Sequence, residues 1–235
     1  MTTLFNFNLA KSTGVIYYSK NNIIRKFSLT TNKRKLLNEY KGFKWYFKKS
    51  KIKIKDKAPL IEYFKNKNYL NLPLIKGNKV PFWISIKETK NLIEILISHY
   101  LKVWPKNTIT PYHGDLTIDN VLFENLNNPI IIDWEFFQKN ELWGLDICHL
   151  LISSVVLPSL LKKKKKIPNS ELEVFEILWK NFFKQRKIYY LKEPIKYLNK
   201  VNKKKLFKEK ENDFIQKISN FQKNQILEVI KNNGK

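Results

Sequence analysis

Short apolar runs separated by polar turns dominate the first ninety residues of this 235-residue chain. Gly14–Ser19 and Ile23–Ser28 flank a Lys-Asn-Asn turn, and this pattern predicts a β-hairpin. Tyr69–Ile75 and Lys79–Ile86 bracket a Lys-Gly-Asn turn in the same way and predict a second hairpin. The first part of the chain is therefore expected to be rich in β-structure.

Helical spacing of apolar residues appears first at Lys33–Phe47 and predicts an amphipathic helix. Glu39 falls on the apolar face of this helix, so its carboxylate points inward and requires a partner. Thr89–Trp104 predicts a second helix. Further helices are predicted at about residues 145–161, 170–186, 193–198 and 211–231. Strands followed by helices indicate an α+β fold.

Composition supports a globular protein, because 43% of the residues are hydrophobic and 14% are aromatic. The net charge of +25 raises nucleic acid or an anionic surface as partners. However, nearly all basic residues are Lys, whereas Arg, the residue favoured for phosphate and base recognition, occurs only at 25, 34 and 186. We therefore expect a solvated lysine surface, with Lys162–Lys166 as an exposed loop, and we consider nucleic acid an improbable partner.

The location of the protein is predicted from its cysteine content and its hydropathy. One cysteine, Cys148, excludes a disulfide framework and fits a reducing compartment. The first ten residues do not resemble a signal peptide, and the longest apolar stretch, Ile147–Leu161, falls short of the roughly 20 residues that span a bilayer. We expect a cytoplasmic protein without a transmembrane segment, for which the charge leaves weak contact with anionic membranes open.

The candidate chemistry lies between Tyr112 and Leu150. A strand at 120–124 and a strand at 129–133, joined by a turn, predict a hairpin whose outer ends are Asn120 and Asp133. An amide oxygen and a carboxylate held side by side suit a hard cation such as Mg²⁺. Asp115, on the preceding loop, would lie beside that cation and could accept a hydroxyl proton.

These residues resemble the aminoglycoside phosphotransferase and choline kinase superfamily, whose fold is similar to that of the protein kinases. In that family a His-Gly-Asp loop is followed by Asn five residues after the Asp, and the metal-binding Asp follows an apolar strand. The resemblance implies ATP and Mg²⁺ as cofactors, Asp115 as catalytic base, and Asn120 and Asp133 as metal ligands. It also implies that His113 orients the catalytic loop and that Asp146 braces it from the next helix.

Upstream of this motif, the match to the family is partial. Lys26 is the candidate for the phosphate-binding lysine and Glu39 for its ion-pair partner, with Arg25 as the competing choice because neighbouring strand residues face opposite ways. The segment Lys11–Gly14 holds one glycine and does not form the glycine-rich loop of the family. His99 and His149 lie on apolar helix faces and are expected to be core histidines.

The resulting prediction is a two-lobed, protein-kinase-like fold, with a nucleotide-binding lobe at residues 1–87 and a catalytic and acceptor-binding lobe at 88–235. The expected activity is ATP- and Mg²⁺-dependent phosphoryl transfer to a hydroxyl of a small molecule, such as a sugar, an amino alcohol, an aminoglycoside-like compound or a lipopolysaccharide component. Two alternatives remain open, an inactive kinase-like binding module and a basic nucleic-acid-binding protein. Four aromatic residues after the motif could line an acceptor pocket, although core packing is favoured: Trp134, Phe136, Phe137 and Trp143.

Overall fold

The computed structural model describes residues 8–10, 15–20, 23–28, 33–51, 61–75, 77–80, 84–123, 125, 128–156, 166–183, 224–226 and 228. The strands in these ranges are β1 Asn8–Ala10, β2 Val15–Lys20, β3 Ile23–Ser28, β4 Glu62–Phe64, β5 Tyr69–Pro73, β6 Asn78–Lys79, β7 Ile109–Tyr112, β8 Val121–Phe123, β9 Pro129–Ile131 and β10 Gln138–Leu142. The helices are α1 Lys33–Ser50, α2 Ile86–Val103, α3 Leu145–Leu151 and α4 Asn169–Phe183. An antiparallel sheet with one helix precedes a mainly helical part, so the predicted α+β class is confirmed.

The first five strands form one antiparallel sheet in the order β1-β2-β3-β5-β4. The hairpin predicted from the first pair of apolar runs is present as β2 and β3, which pair from Val15 with Ser28 to Lys20 with Ile23. Strand β3 occupies the centre of the sheet, and Lys26 lies on it opposite Leu70 of β5. The fold thereby places Lys26 beside the helix that follows.

The second predicted hairpin is wrong. Strand β5 pairs with β3 and β4, whereas β6 pairs with β8 in a separate three-stranded sheet. Leu70 and Leu72 of β5 are buried, while both residues of β6 are exposed, so the two runs do not share one buried face. Ile86, predicted to end a strand, begins α2, because Ser85 and Glu88 form a capping box at its amino end.

Helix α1 packs closely against the carboxyl-terminal part of the chain. At Gly42, a Cβ atom would lie 2.6 Å from Trp134 Cβ, so only glycine permits this approach. Tyr46 is fully buried one turn later, and its ring lies 5.1 Å from that of Trp134. The helix that carries Glu39 is therefore anchored directly to the loop that follows β9.

The carboxyl-terminal part contains the predicted β8–β9 hairpin and one strand pair, β7 with β10, that was not predicted. The predicted helix at 145–161 is α-helical as far as Leu151 and continues as a π-helical turn, Ile152–Val156, and residues 157–161 lie outside the described residues. Helix α4 covers most of the predicted 170–186 segment. The predicted helix at 193–198, most of that at 211–231, and Lys162–Lys165 lie outside the described residues, and Lys166 is exposed.

Two further predictions concern location and domains. Among the helices that the structure describes, none is both long enough and apolar enough to cross a membrane. The division into lobes at residue 87 stays a prediction.

Cys148 is buried in α3, as expected for a small apolar side chain rather than a reactive thiol, and burial raises its pKa well above the ordinary value.

Candidate active site

The β8–β9 hairpin places Asn120 and Asp133 at neighbouring positions. Asn120 ends a short 3₁₀ turn, Ile118–Asn120, and its carbonyl oxygen accepts a hydrogen bond of 2.9 Å from the backbone N–H of Ile132. Asp133 follows with φ at 65°, a left-handed conformation that costs a non-glycine residue about 1–2 kcal/mol. Strained residues of this kind cluster at functional sites, where the surrounding structure holds them.

Lys26, Glu39 and Asp133 meet in one charged cluster. Lys26 Nζ lies 2.6 Å from Glu39 Oε1 and 3.1 Å from Asp133 Oδ1. Glu39 is almost fully buried, whereas the Asp133 side chain is 39% exposed and therefore reaches solvent. The predicted pairing of Lys26 with Glu39 is present, and its role towards a nucleotide stays a prediction.

Burial and charge act in opposite directions on this cluster. Burial alone would lower the pKa of Lys26, but Glu39 and Asp133 outweigh it and hold the pKa above the ordinary value, so Lys26 is charged. Burial raises the pKa of Glu39 from 4.5 to about 7, although Lys26 opposes the rise. The charged ammonium group of Lys26 therefore lies beside the carboxylate of Asp133, which is more exposed than that of Glu39.

Arg25 lies on the opposite face of β3. Its Nε donates a 2.7 Å hydrogen bond to Asn71 Oδ1, and its guanidinium lies 4.3 Å from the centre of the Tyr69 ring. Neither contact belongs to the Glu39 and Asp133 cluster. Of the two basic residues that the sequence offered, Lys26 is the one that the structure brings to the site.

His113 is a buried structural residue of the loop before Asp115. The backbone N–H of Asp115 donates to His113 Nδ1 at 3.2 Å, and His113 Nε2 lies 2.9 Å from the carbonyl oxygen of Ile132. Because Nδ1 accepts, the ring proton is on Nε2 and is donated to Ile132. Burial lowers the pKa of His113 to about 4, so the ring is neutral and links the loop to the residue before Asp133.

Asp146 holds the same loop from α3. Its carboxylate accepts hydrogen bonds of 3.0 and 3.1 Å from the backbone N–H of His113 and one of 3.1 Å from that of Gly114. Gly114 has φ at +91°, and a Cβ atom there would lie 2.6 Å from the carbonyl oxygen of Phe136. The bracing contact that the resemblance implied for Asp146 is confirmed, and Gly114 is required by both its conformation and its surroundings.

The Asp115 carboxylate is in contact with side chains on either side. Asn120 Nδ2 donates to the Asp115 carbonyl oxygen at 2.7 Å and lies 3.3 Å from Asp115 Oδ2. His149 Nε2 lies 3.9 Å from Asp115 Oδ1. The sequence prediction placed His149 in the core, and it is indeed buried, but its proximity to Asp115 was missed because no local pattern links residues that far apart in sequence.

The donor set fits a magnesium ion bound together with phosphate oxygens. The structure presents one carboxylate, Asp133, and one amide, Asn120, whose nitrogen is already engaged by Asp115, so its oxygen is the atom suited to a cation. Within the described residues, no three His, Cys, Asp or Glu side chains are grouped to hold a metal. A cation here would therefore depend on oxygens of the nucleotide as well.

The aromatic residues after the motif belong to the core. Four of them are no more than 5% exposed: Trp134, Phe136, Phe137 and Trp143. Trp134 also donates an indole hydrogen bond of 3.0 Å to the Ile131 carbonyl oxygen. Core packing, the favoured interpretation of these residues, is confirmed.

Comparison with known proteins shows similarity to solved structures. No family model and no curated protein matches the sequence. The chain is similar to the choline kinase LicA from Streptococcus pneumoniae, at 12% sequence identity and a TM-score of 0.43, over 96% of this chain and 91% of that chain. At this degree of similarity, any assignment of function depends on the side chains of the site itself.

Proposed function

We propose that this protein is an ATP- and Mg²⁺-dependent phosphotransferase that moves the γ-phosphoryl group of ATP to a hydroxyl of a small molecule. The observation that carries the proposal is the cluster of Lys26, Glu39 and Asp133, at 2.6 and 3.1 Å. The two acidic partners lie 13 and 107 residues from Lys26 in sequence. In protein kinases, a strand lysine, a helix glutamate and a metal-binding aspartate must come together in this way for phosphoryl transfer.

Each residue has one role in this proposal. Lys26 binds nucleotide phosphates, and Glu39 keeps its ammonium group in place. Asn120 and Asp133 hold Mg²⁺, which when bound neutralises charge on the β- and γ-phosphates. Most of the catalysis is expected to come from this positioning and charge neutralisation.

Asp115 is the proposed general base. It accepts the proton of the acceptor hydroxyl as the acceptor oxygen forms its bond to the γ-phosphorus and the bond from that phosphorus to ADP breaks. Its backbone is fixed by His113 and by Asn120, at 3.2 and 2.7 Å. These two hydrogen bonds hold the backbone that carries the carboxylate, as catalysis by positioning requires.

For the phosphate acceptor, we propose a chemical class and not a single compound. The resemblance to aminoglycoside and choline kinases supports a small hydroxyl compound, for which sugars, amino alcohols, aminoglycosides and lipopolysaccharide components are the groups to examine. The weak fit to the family at Lys11–Gly14 keeps an inactive, kinase-like binding module as the competing proposal. Binding of MgATP without turnover would favour that module.

A phosphotransfer screen tests the proposed function. Purified protein is incubated with Mg²⁺ and ATP labelled at the γ-phosphate, together with each acceptor class, and the labelled product is separated from ATP and phosphate. We expect acceptor-dependent transfer that disappears with a chelator and in the Asp115→Asn variant. Failure to bind MgATP, combined with binding to duplex DNA that weakens steeply with salt, would instead support a nucleic-acid-binding protein.

A further inference from the structure

We infer that His149 is a positioning residue that holds the carboxylate of Asp115, an inference that rests on the proposed function. His149 Nε2 lies 3.9 Å from Asp115 Oδ1, and both side chains are largely buried, with 5% and 15% exposed. A buried imidazole placed against a buried carboxylate is an expensive arrangement unless the two groups interact. The proximity of His149 to Asp115 therefore calls for a role beyond core packing.

Helix α3 approaches the catalytic loop with two polar side chains. Asp146 and His149 are three residues apart and so lie on one face of the helix. Asp146 accepts hydrogen bonds from the loop backbone at His113 and Gly114, whereas His149 reaches the Asp115 side chain. One turn of α3 thus fixes the backbone of the loop and also brings an imidazole nitrogen to 3.9 Å from its carboxylate.

The two oxygens of Asp115 face different partners. Oδ2 lies 3.3 Å from Asn120 Nδ2, and Oδ1 lies 3.9 Å from His149 Nε2. A carboxylate rotates readily about its last bond. The hydrogen bond from Asn120 at Oδ2 limits that rotation, and His149, whose separation from Oδ1 is longer than a hydrogen bond, is placed to close on Oδ1 when an acceptor is bound. A base that must meet a hydroxyl proton at hydrogen-bond distance depends on this orientation.

The charges around His149 agree with a role beside Asp115. Asp115 and Asp146 supply carboxylates, and His113 is a second imidazole close enough that His149 opposes its protonation. Because His113 is neutral and bonded to Ile132, it does not offer its ring to the carboxylate of Asp115. Of the two imidazoles, His149 is the one that reaches the carboxylate.

The kinetic test compares two substitutions at this position. His149→Leu removes the polar contact, and we expect kcat to fall by about 10-fold to 100-fold, the scale of a small displacement at a catalytic group, with KM for MgATP unchanged. His149→Gln places an amide nitrogen near the position of Nε2, and it should recover most of kcat. Cys148→Ala, in the same buried helix, is the matched control and should leave kcat unchanged. Equal loss in the Leu and Gln variants, or no loss in the Leu variant, would overturn the inference.

A second measurement does not depend on turnover. The chain has three histidines, so the ring nitrogen resonances in an NMR spectrum are few and can be assigned by substitution. Asp115→Asn should shift the His149 ring resonances and leave those of His99, on α2, unchanged. If the His149 resonances shift but the wild-type protein transfers no phosphate to any acceptor, the proposed function is rejected, whereas the proximity of His149 to Asp115 is supported. Unmoved His149 resonances would overturn the inference even in an active enzyme.

Discussion

Tyr46 of helix α1 accepts a hydrogen bond of 3.1 Å from the backbone N–H of Ile131, the last residue of β9. Its hydroxyl also lies 2.8 Å from His99 Nε2 of α2. The phenol is fully buried, and burial raises its pKa above the ordinary value, so it stays protonated and neutral. This side chain therefore ties the helix that carries Glu39 to the strand that leads to Asp133.

Tyr46→Phe should destabilise the protein. The substitution keeps the ring but leaves the buried N–H of Ile131 without its side-chain partner, which costs about 1–3 kcal/mol. Urea unfolding measures the loss. Tyr40→Phe is the matched control, because the Tyr40 hydroxyl bonds to Lys44 at an exposed position, and its effect should stay within about 0.5 kcal/mol. Equal losses of unfolding free energy in the two variants would show that the hydrogen bond from Ile131 to Tyr46 does not stabilise the protein.

Gly42→Ala tests the close packing of α1. Alanine normally stabilises a helix interior by about 0.5–1 kcal/mol relative to glycine. Here the added methyl group would lie 2.6 Å from Trp134 Cβ, and overpacking of this kind typically costs about 1–3 kcal/mol. We expect a net loss of stability by urea unfolding and lower affinity for MgATP, since Glu39 moves with the helix. A stabilised variant would show that α1 shifts without cost.

Glu39 gives the stability a defined pH dependence. Its pKa in the folded protein, about 7, exceeds its ordinary value of 4.5, so its stabilising contribution is complete below about 4.5 and is lost as the pH rises through about 7. Glu39→Gln cannot titrate. The free energy of unfolding of the Gln variant minus that of the wild type should therefore increase between pH 4.5 and 7, as measured with urea. A difference that is constant over this range would contradict the raised pKa.

The sequence predicted the elements whose patterns are local. The β2–β3 hairpin, the amphipathic helix α1 and the inward position of Glu39 followed from apolar spacing and turn residues within short windows. The position of Asp115 on a loop before the β8–β9 hairpin followed from a motif with fixed spacing, and its catalytic role stays a prediction. In each of these cases the information lies within about fifteen consecutive residues.

What the sequence left out depends on contacts between distant segments. Strand β5 pairs with β3 and β4, and β6 pairs with β8, so these partners are decided by the whole sheet rather than by the turn between the two apolar runs. The need for glycine at position 42 arises from Trp134, on a loop far along the chain. His149 faces Asp115 only because α3 packs against the loop that carries Asp115. Periodicity gives the face of a helix but not the group that this face meets.

Asp115→Asn separates the chemical step from nucleotide binding. Asparagine keeps the size of the side chain but is not a base, so kcat should fall by about 10²–10⁴-fold, the usual contribution of a positioned general base. The dissociation constant for MgATP should stay within about threefold of the wild type, because Asp115 is not among the residues proposed to bind phosphate or metal. Turnover measured with the best acceptor from the screen, and calorimetric titration with MgATP, check the two statements. Unchanged turnover would remove Asp115 from the mechanism.

Asp133→Asn tests the proposed metal site. If Asp133 and Asn120 hold Mg²⁺ against nucleotide phosphates, ATP should stabilise the wild type more with Mg²⁺ than with a chelator. A ligand present at about 100 times its dissociation constant adds roughly 2.7 kcal/mol. The Asn variant should lose most of the Mg²⁺-dependent part, because an amide lacks the negative charge that a hard divalent cation prefers.

The design of the Asp133 experiment depends on two controls. Loss of the carboxylate also removes the 3.1 Å contact with Lys26, so thermal melting without ligand must first show that the variant and the wild type are equally folded. Asp119→Asn, an exposed acidic residue next to Asn120, removes the same charge outside the site and should keep the full effect of Mg²⁺. Asn120→Ala should show an intermediate loss, because water can replace a neutral ligand in part. If Asp133→Asn retained the whole Mg²⁺-dependent stabilisation by ATP, the metal site would be misassigned, and the binding module would become the better proposal.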